Sequence, residues 1–200
     1  MIATIDRQEW AYHQRERYLS YAGGLQAGPY TLRERFEFAL ISAHCTLESA
    51  VTAWQRALVA KTAHDIIVAL KPCGSGYRKA ALLMELRETP IPPPALPFSE
   101  YRRQYKLPGL GPAKLSFALA LWKPLESDVV CLDTHMLQLL GVKANSLPAY
   151  ERAESLVVKE AAQVGLPPFV YQWAVWDWKR GHVESHSFLW APPAQIRMEV

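Results

Sequence analysis

The sequence lacks the paired cysteines and the long apolar runs that would place it in other classes of protein. Its cysteines, Cys45, Cys73 and Cys131, stand far apart without a C-x-x-C pair, which argues against a disulfide framework and a thiolate-bound zinc or iron–sulfur centre. Cys45 and Cys131 have apolar neighbours and are expected in the core. Because no apolar run could cross a bilayer and charges interrupt the N-terminal segment, the sequence predicts a cytosolic protein without membrane span, metal or cofactor.

What the sequence does contain is a series of amphipathic helical segments. Thr31 with Glu34 forms a capping-box pattern before an apolar stripe at helical spacing. Ser99 is expected to cap a short helix, and Ser146 and Gly165 are expected to bound a longer one. Since no segment alternates with a period of two, we predict an all-α fold.

A tight turn, "LPGLG" at Leu107–Gly111, separates two of these helices. Gly109 and Gly111 permit positive φ, and Pro112 suits the first turn of the following helix. Such a hairpin directs main-chain N–H groups outward at a helix N-terminus, where an anion such as a DNA phosphate is favoured. An ordinary corner between helices is the alternative from composition alone. Basic side chains gather around the turn, namely Arg102, Arg103, Lys106 and Lys114.

A single aspartate, Asp133 in "VVCLDTH", stands between a short apolar run and the next helix. Aspartate is a favoured N-cap, and its carboxylate would accept hydrogen bonds from N–H groups near His135 and Met136. A carboxylate held in this way stays ionised, so it can also face a developing cation or orient a water molecule. Capping and catalysis are therefore compatible functions for Asp133.

The order "ISAHCTLESAVTAW", "GYRKAALLMEL", "LPGLGPAKLSFALAL", "CLDTHMLQLLGV" and "WAVWDWKRGH" resembles the helix-hairpin-helix base-excision DNA glycosylases. This superfamily includes endonuclease III, the adenine glycosylase of mismatch repair and the 8-oxoguanine glycosylases. The resemblance runs from about Thr31 to Gly181. It implies two helical lobes with the active cleft between them: residues 31–124, with the hairpin motif at about 99–122, and residues 1–30 plus 125–200.

The resemblance also implies roles for individual residues and a monomer acting on double-stranded DNA with a damaged or modified base. Asp133 takes the place of the catalytic carboxylate and is expected to meet Lys114 across the cleft. His44 takes the place of the residue that fills the gap left by a flipped nucleotide; a half-buried histidine with a local partner is the alternative. The expected DNA-binding residues are Leu107, Gly109, Leu110, Gly111, Ala113 and Lys114.

Two departures from the family pattern affect the expected chemistry. The lysine that forms a Schiff base in bifunctional members is replaced by Ala113, and Lys114 follows one step later, a rotation of about 100° on a regular helix. A hairpin one residue longer would restore the lysine, which makes Lys114 a candidate catalytic residue beside Asp133. The simpler interpretation is that Lys114 binds a phosphate or shapes the pocket, with its stem turned away from the sugar and no lyase activity. The iron–sulfur cysteines of endonuclease III are also absent, and "WDWKRGHVESHSFLW" supplies Trp176, Trp178 and His182 instead.

Three functions follow as hypotheses. The first is a DNA glycosylase without lyase activity, and the second is a phage-type transferase that exchanges groups on modified thymines. The third is a DNA-binding module without chemistry. Aromatic residues could line a stacking pocket, although helical spacing of tryptophans is more typical of a core; the candidates are Tyr77, Trp122, Trp173 and Trp176.

Overall fold

A computed structural model describes residues 6–74, 76–181 and 184–186 of the chain. These residues form eleven α-helices and one 3₁₀ helix, and within them the only β-type pairing is a bridge between Leu107 and Leu110. The predicted all-α fold is confirmed. The helices are α1 (Arg7–His13), α2 (Arg15–Ala27), α3 (Leu32–Ile41), α4 (Leu47–Val59), α5 (Ala63–Leu70), the 3₁₀ helix (Lys71–Cys73), α6 (Gly76–Glu88), α7 (Phe98–Gln104), α8 (Pro112–Trp122), α9 (Thr134–Leu140), α10 (Leu147–Val164) and α11 (Pro168–Lys179).

Three of the predicted helix ends are formed as expected. Thr31 accepts a hydrogen bond from the Glu34 N–H, and the Glu34 carboxylate reaches back to the Thr31 N–H, so the capping box before α3 is complete. Ser146 caps α10 through the Ala149 N–H, and Gly165 ends that helix in the left-handed conformation. Local sequence is sufficient for these ends because each cap lies within three residues of its partner.

The predicted cap of α7 is wrong. The helix begins at Phe98, so Ser99 lies inside it, and Pro97 at the N-cap offers no side-chain hydrogen bond. The carboxylate of Asp128 instead accepts from the N–H of Phe98 at 2.6 Å and of Ser99 at 3.1 Å. The orphan donors of this helix are thus satisfied by a residue distant in sequence, which local patterns do not reveal.

The helices pack in an order that brings the two ends of the chain together. α11 contacts α1, α2, α9 and α10, whereas α3 contacts α4, α6 and α8. α2 also contacts α8 and so joins the two groups. The lobe boundaries, 31–124 and 1–30 plus 125–200, stay a prediction. In the part of the chain described, no helix combines the length and hydrophobicity that a membrane crossing requires.

Candidate active site

A cavity of about 1130 Å³ opens where the loop after α3, the start of α8, the segment before α9 and one side of α11 come together. Most of the residues predicted to carry function line this cavity; these are His44, Gly109, Gly111, Ala113, Lys114 and Asp133. Leu107 and Leu110 do not, because both side chains are buried in the core. Segments far apart in sequence therefore converge on one site.

The hairpin is a tight turn fixed by its own residues. The Leu110 N–H donates to the Leu107 carbonyl at 3.1 Å, and Pro108 and Gly109 occupy the two central positions. Gly109 has a φ of 71°, which makes this a type II turn and requires glycine at that place. The buried leucines anchor the turn, which leaves its backbone and the half-buried Pro108 for a DNA contact.

Gly111 does not use the positive φ that glycine permits. Its φ is −75° and its ψ is 176°, an extended conformation that any residue adopts, and it is the N-cap of α8. No side chain caps this helix end. Among the described residues nothing accepts a hydrogen bond from the N–H groups of Gly111, Ala113 or Lys114. The start of α8 therefore presents free donors beside the cavity.

Asp133 is held at the start of α9 by hydrogen bonds to both carboxylate oxygens. Oδ1 accepts from the Met136 N–H at 2.9 Å, so the predicted N-cap is confirmed. Oδ2 accepts from the indole N–H of Trp176 at 3.0 Å. This second partner belongs to α11 and could not be anticipated from local sequence. Each oxygen retains acceptor capacity because an ionised carboxylate has about four lone-pair sites.

Lys114 lines the cavity, and the expectation that its stem turns away from the sugar stays a prediction. Its ammonium donates to Ser42 Oγ at 2.8 Å and lies 5.4 Å from the centre of the Phe117 ring. Ser42 Oγ in turn donates to the Ala39 carbonyl at 2.9 Å. Within the described part of the chain, no ion pair of 4.0 Å or less joins Lys114 to Asp133. The two charged groups share a cavity without touching.

The thiol of Cys131 interacts electrostatically with both Lys114 and Asp133. Its thiol has a pKa of about 12, raised mainly by burial, which Lys114 partly opposes and Asp133 reinforces. The thiol is therefore neutral at physiological pH and is not an activated nucleophile. Cys131 is buried as predicted, but it also forms part of the cavity wall.

The loop after α3 holds His44 at the cavity in an unusual backbone conformation. His44 has a φ of 57° and is exposed, and in the described residues its ring has no hydrogen-bond partner. Left-handed backbone at a residue other than glycine is uncommon and persists only where its surroundings impose it. The half-buried, locally partnered histidine of the alternative interpretation is not what the structure has.

A buried lysine imposes that loop conformation. Lys79 on α6 is 6% exposed, and its ammonium donates to the carbonyls of Ile41 at 3.0 Å, Ala43 at 2.5 Å and Cys73 at 2.9 Å. Carbonyls at the end of a helix favour a cation. Lys79 therefore ties the loop that carries His44 to the 3₁₀ helix and to α6.

Aromatic side chains of two helices form one wall of the cavity. Phe117 comes from α8, and Phe169, Trp173 and Trp176 come from one side of α11. Trp173 is almost fully buried, so helical spacing placed it correctly in the core, although its edge also faces the cavity. The Arg180 guanidinium lies 4.6 Å above the Trp176 ring. The wall is suited to stacking against a flat ring.

Other sequence candidates lie elsewhere. Tyr77 is 79% exposed and, like Trp122, does not line the cavity; His182 lies outside the described residues. No cluster of three or more His, Cys, Asp or Glu suited to a metal ion occurs in the part of the chain that the structure describes. Sequence patterns missed several polar residues that line the cavity, because each sits in an ordinary helical, capping or loop context; these are Ser42, Tyr150, Gln172 and Ser185.

The fold is that of the helix-hairpin-helix DNA glycosylases. The structure is similar to the crystal structure of the 8-oxoguanine DNA glycosylase of Thermotoga maritima, with a TM-score of 0.71 over 89% of this chain and 96% of that one. The two sequences are 17% identical, so the likeness establishes the fold. The sequence matches no protein-family model and no curated protein.

Proposed function

We propose that the chain is a DNA glycosylase that removes a damaged or modified base from double-stranded DNA by hydrolysing the N-glycosidic bond. One observation carries this proposal: a carboxylate, a cation, an exposed ring and free backbone N–H groups converge on one cavity in a glycosylase fold. The neighbour's activity on 8-oxoguanine makes that base the first to test, and the protein is expected to act as a cytoplasmic monomer.

The start of α8 is the proposed contact with the DNA backbone. Free N–H groups at a helix N-terminus favour an anion, and a DNA phosphate has the required charge. The exposed backbone of Gly109 and Gly111 gives a phosphate close access, because neither residue has a side chain. Such contacts position a protein on DNA without reading its sequence.

The cavity is the proposed site of the extruded base. Inside a duplex neither C1′ nor the base can be reached, so the nucleotide must rotate out of the stack. The volume of about 1130 Å³ leaves room for a base and its sugar, since ligand pockets usually measure about 300–1,000 Å³. Trp176 and Phe117 offer surfaces for stacking, and His44 is proposed to fill the gap left in the duplex.

Asp133 is the proposed catalytic residue. Breaking the bond between a base and C1′ builds positive charge on the sugar, and a nearby carboxylate stabilises that charge or activates the attacking water. Its hydrogen bonds from Met136 and Trp176 fix the carboxylate in one orientation. A fixed carboxylate requires no reorganisation as the charge develops.

Lys114 is proposed to bind a phosphate or the leaving base, and water is proposed as the nucleophile. Its ammonium is directed to Ser42, on the α3 side of the cavity. In a bifunctional enzyme this amine would instead attack C1′ and form a covalent adduct. We infer that the enzyme leaves intact abasic sites.

The test is a survey of duplex oligonucleotides that each carry one altered base, beginning with 8-oxoguanine and including modified thymines. Mass spectrometry should detect a released free base and an abasic strand with wild-type protein, and neither with Asp133→Asn. An altered nucleoside with its glycosidic bond intact would instead support the transferase. Binding that leaves every nucleoside unchanged across the survey would support the module without chemistry.

A further inference from the structure

The segment that leads into Asp133 is extended, buried and supported by side chains. Val129, Val130, Cys131 and Leu132 lie outside any helix and are at most 7% exposed. Buried backbone N–H groups require acceptors, and no strand lies beside this segment in the described residues. Groups other than a neighbouring strand must therefore accept the hydrogen bonds of its backbone N–H groups.

Three consecutive N–H groups of the segment donate to side chains of α10 and α11. The Val130 N–H donates to Glu154 Oε1 at 2.9 Å, and the Leu132 N–H donates to the Tyr150 hydroxyl at 3.0 Å. Between them, the Cys131 N–H donates to Gln172 Oε1 at a longer 3.4 Å. The side chains take the place of a neighbouring strand.

Tyr150 makes the closest contact with this segment. Its hydroxyl donates to the Val130 carbonyl at 2.6 Å and accepts from the Leu132 N–H. One oxygen atom therefore holds the backbone on both sides of Cys131, and the second of these bonds ends one residue before Asp133. Burial raises the pKa of the Tyr150 phenol, so the hydroxyl keeps its proton and remains a donor.

A network of polar side chains centred on Arg102 connects α10 to α8. Arg102 on α7 forms a two-pronged ion pair with Glu154, at 2.8 and 2.7 Å, and donates to Ser116 Oγ at 2.6 Å. Its guanidinium also lies 5.0 Å from the centre of the Tyr150 ring. Ser116 follows Lys114 by two residues on α8, so the network links the segment before Asp133 to the helix that begins at the hairpin.

We propose that Tyr150 is a positioning residue that sets the location of the Asp133 carboxylate relative to C1′ of the bound sugar. The proposal rests on the proposed function of Asp133 and extends it to a residue that acts through the Asp133 carboxylate, although Tyr150 also lines the cavity. A displacement of about 1 Å in a catalytic group can reduce a rate about a hundredfold, so a clamp one residue away has a strong influence.

The experiment compares two abasic-site duplexes and requires no knowledge of the base. One contains tetrahydrofuran, a neutral sugar analogue. The other contains pyrrolidine, whose protonated ring nitrogen mimics the positive charge that develops on the sugar when the glycosidic bond breaks. The ratio of their dissociation constants measures the strength of the interaction between the Asp133 carboxylate and that positive charge. Wild-type protein should prefer the pyrrolidine duplex.

Tyr150→Phe removes the hydroxyl and keeps the ring. It should lower the preference for pyrrolidine by roughly threefold to tenfold while the affinity for tetrahydrofuran stays unchanged. Tyr101→Phe is the matched control, because Tyr101 is equally buried and its hydroxyl donates to the distant Pro92 carbonyl at 3.2 Å. The control should leave both affinities unchanged.

The outcomes separate the two proposals. If Asp133→Asn leaves the preference for pyrrolidine intact, the proposed function of Asp133 fails. If Asp133→Asn abolishes the preference and Tyr150→Phe does not reduce it, the positioning function of Tyr150 is overturned. Amide hydrogen exchange of wild-type protein gives a readout without any variant: the Leu132 amide should exchange slowly, and exchange as fast as that of an exposed loop would also overturn the proposal.

Discussion

Replacing Gly109 and Gly111 by alanine, one at a time, separates the contribution of the hairpin to folding from its proposed contribution to DNA binding. Gly109 has a φ of 71°, and a Cβ at this residue would lie 3.0 Å from Leu40 Cδ1 and 3.1 Å from Leu82 Cδ1. Gly111 has a φ of −75°, and a Cβ there would meet nothing within 4 Å. The same chemical change therefore meets opposite surroundings two residues apart.

The structure gives a magnitude for each variant. At Gly109 the left-handed backbone costs alanine about 1–2 kcal/mol, and crowding of a packed core costs about 1–3 kcal/mol. Alanine also reduces the conformational entropy of the unfolded chain, which offsets about 0.4–1 kcal/mol of the destabilisation. Gly109→Ala should therefore lower the free energy of unfolding by about 1–5 kcal/mol, whereas Gly111→Ala should change it by less than about 0.5 kcal/mol.

Thermal unfolding followed by circular dichroism tests the difference. Gly109→Ala should lower the midpoint by roughly 2–20 °C for a chain of this size, and Gly111→Ala should leave it near that of the wild type. Gly111→Ala should nevertheless weaken DNA binding, because a methyl group at residue 111 lies beside the free N–H groups of α8. We expect folded Gly111→Ala to bind a tetrahydrofuran duplex roughly threefold to tenfold more weakly.

Two results would refute this reasoning. Equal destabilisation by the two variants would show that the backbone conformations assigned to the glycines are wrong. Unchanged DNA affinity of Gly111→Ala would show that the start of α8 does not contact the DNA backbone. The salt dependence of wild-type affinity is the companion measurement, since phosphate contacts require a steep decrease with salt.

Three further predictions concern charge. Asp133→Asn keeps the capping geometry and removes the charge, so single-turnover excision should slow by at least about a hundredfold with unchanged DNA affinity; near wild-type turnover would leave Asp133 with capping alone. Borohydride should trap no covalent complex with DNA, and an adduct that disappears in Lys114→Ala would establish lyase chemistry. Burial raises the pKa of Asp177 above its ordinary 3.8, so its contribution to stability is present in acid and is lost as pH rises through the folded pKa. Asp177→Asn should therefore lose less unfolding free energy than the wild type from about pH 4 to neutrality, and parallel pH profiles would contradict this.

The sequence predicted those parts of the site that depend on neighbours in the chain. The N-cap at Asp133 and the turn at Gly109 are local features, because each hydrogen bond or dihedral involves residues within three positions. Which of the two glycines uses a positive φ could not be predicted, because glycine is also common where no positive φ is needed. The same sequence pattern suits both situations.

The remaining parts of the site depend on contacts between distant segments. Trp176 reaches Asp133 across 43 residues, and Lys114 reaches Ser42 across 72. A rotation of about 100° fixes the direction of the Cα–Cβ bond at Lys114 but not the position of its ammonium, because the side chain is long and flexible. Four methylene groups allow the ammonium to return to the cavity from a neighbouring helical position.

The contacts of Lys79 with the loop after α3 have a consequence for the thermodynamics of binding. Ordering one residue costs about 1–2 kcal/mol of conformational entropy, and a mobile loop would meet this cost each time the protein engaged DNA. Because Lys79 already holds the carbonyls of Ile41 and Ala43, the loop meets that cost once, during folding. His44 is then ready before encounter, so association with DNA should not wait for a slow ordering step, and most of the energy of contact remains available to open the duplex.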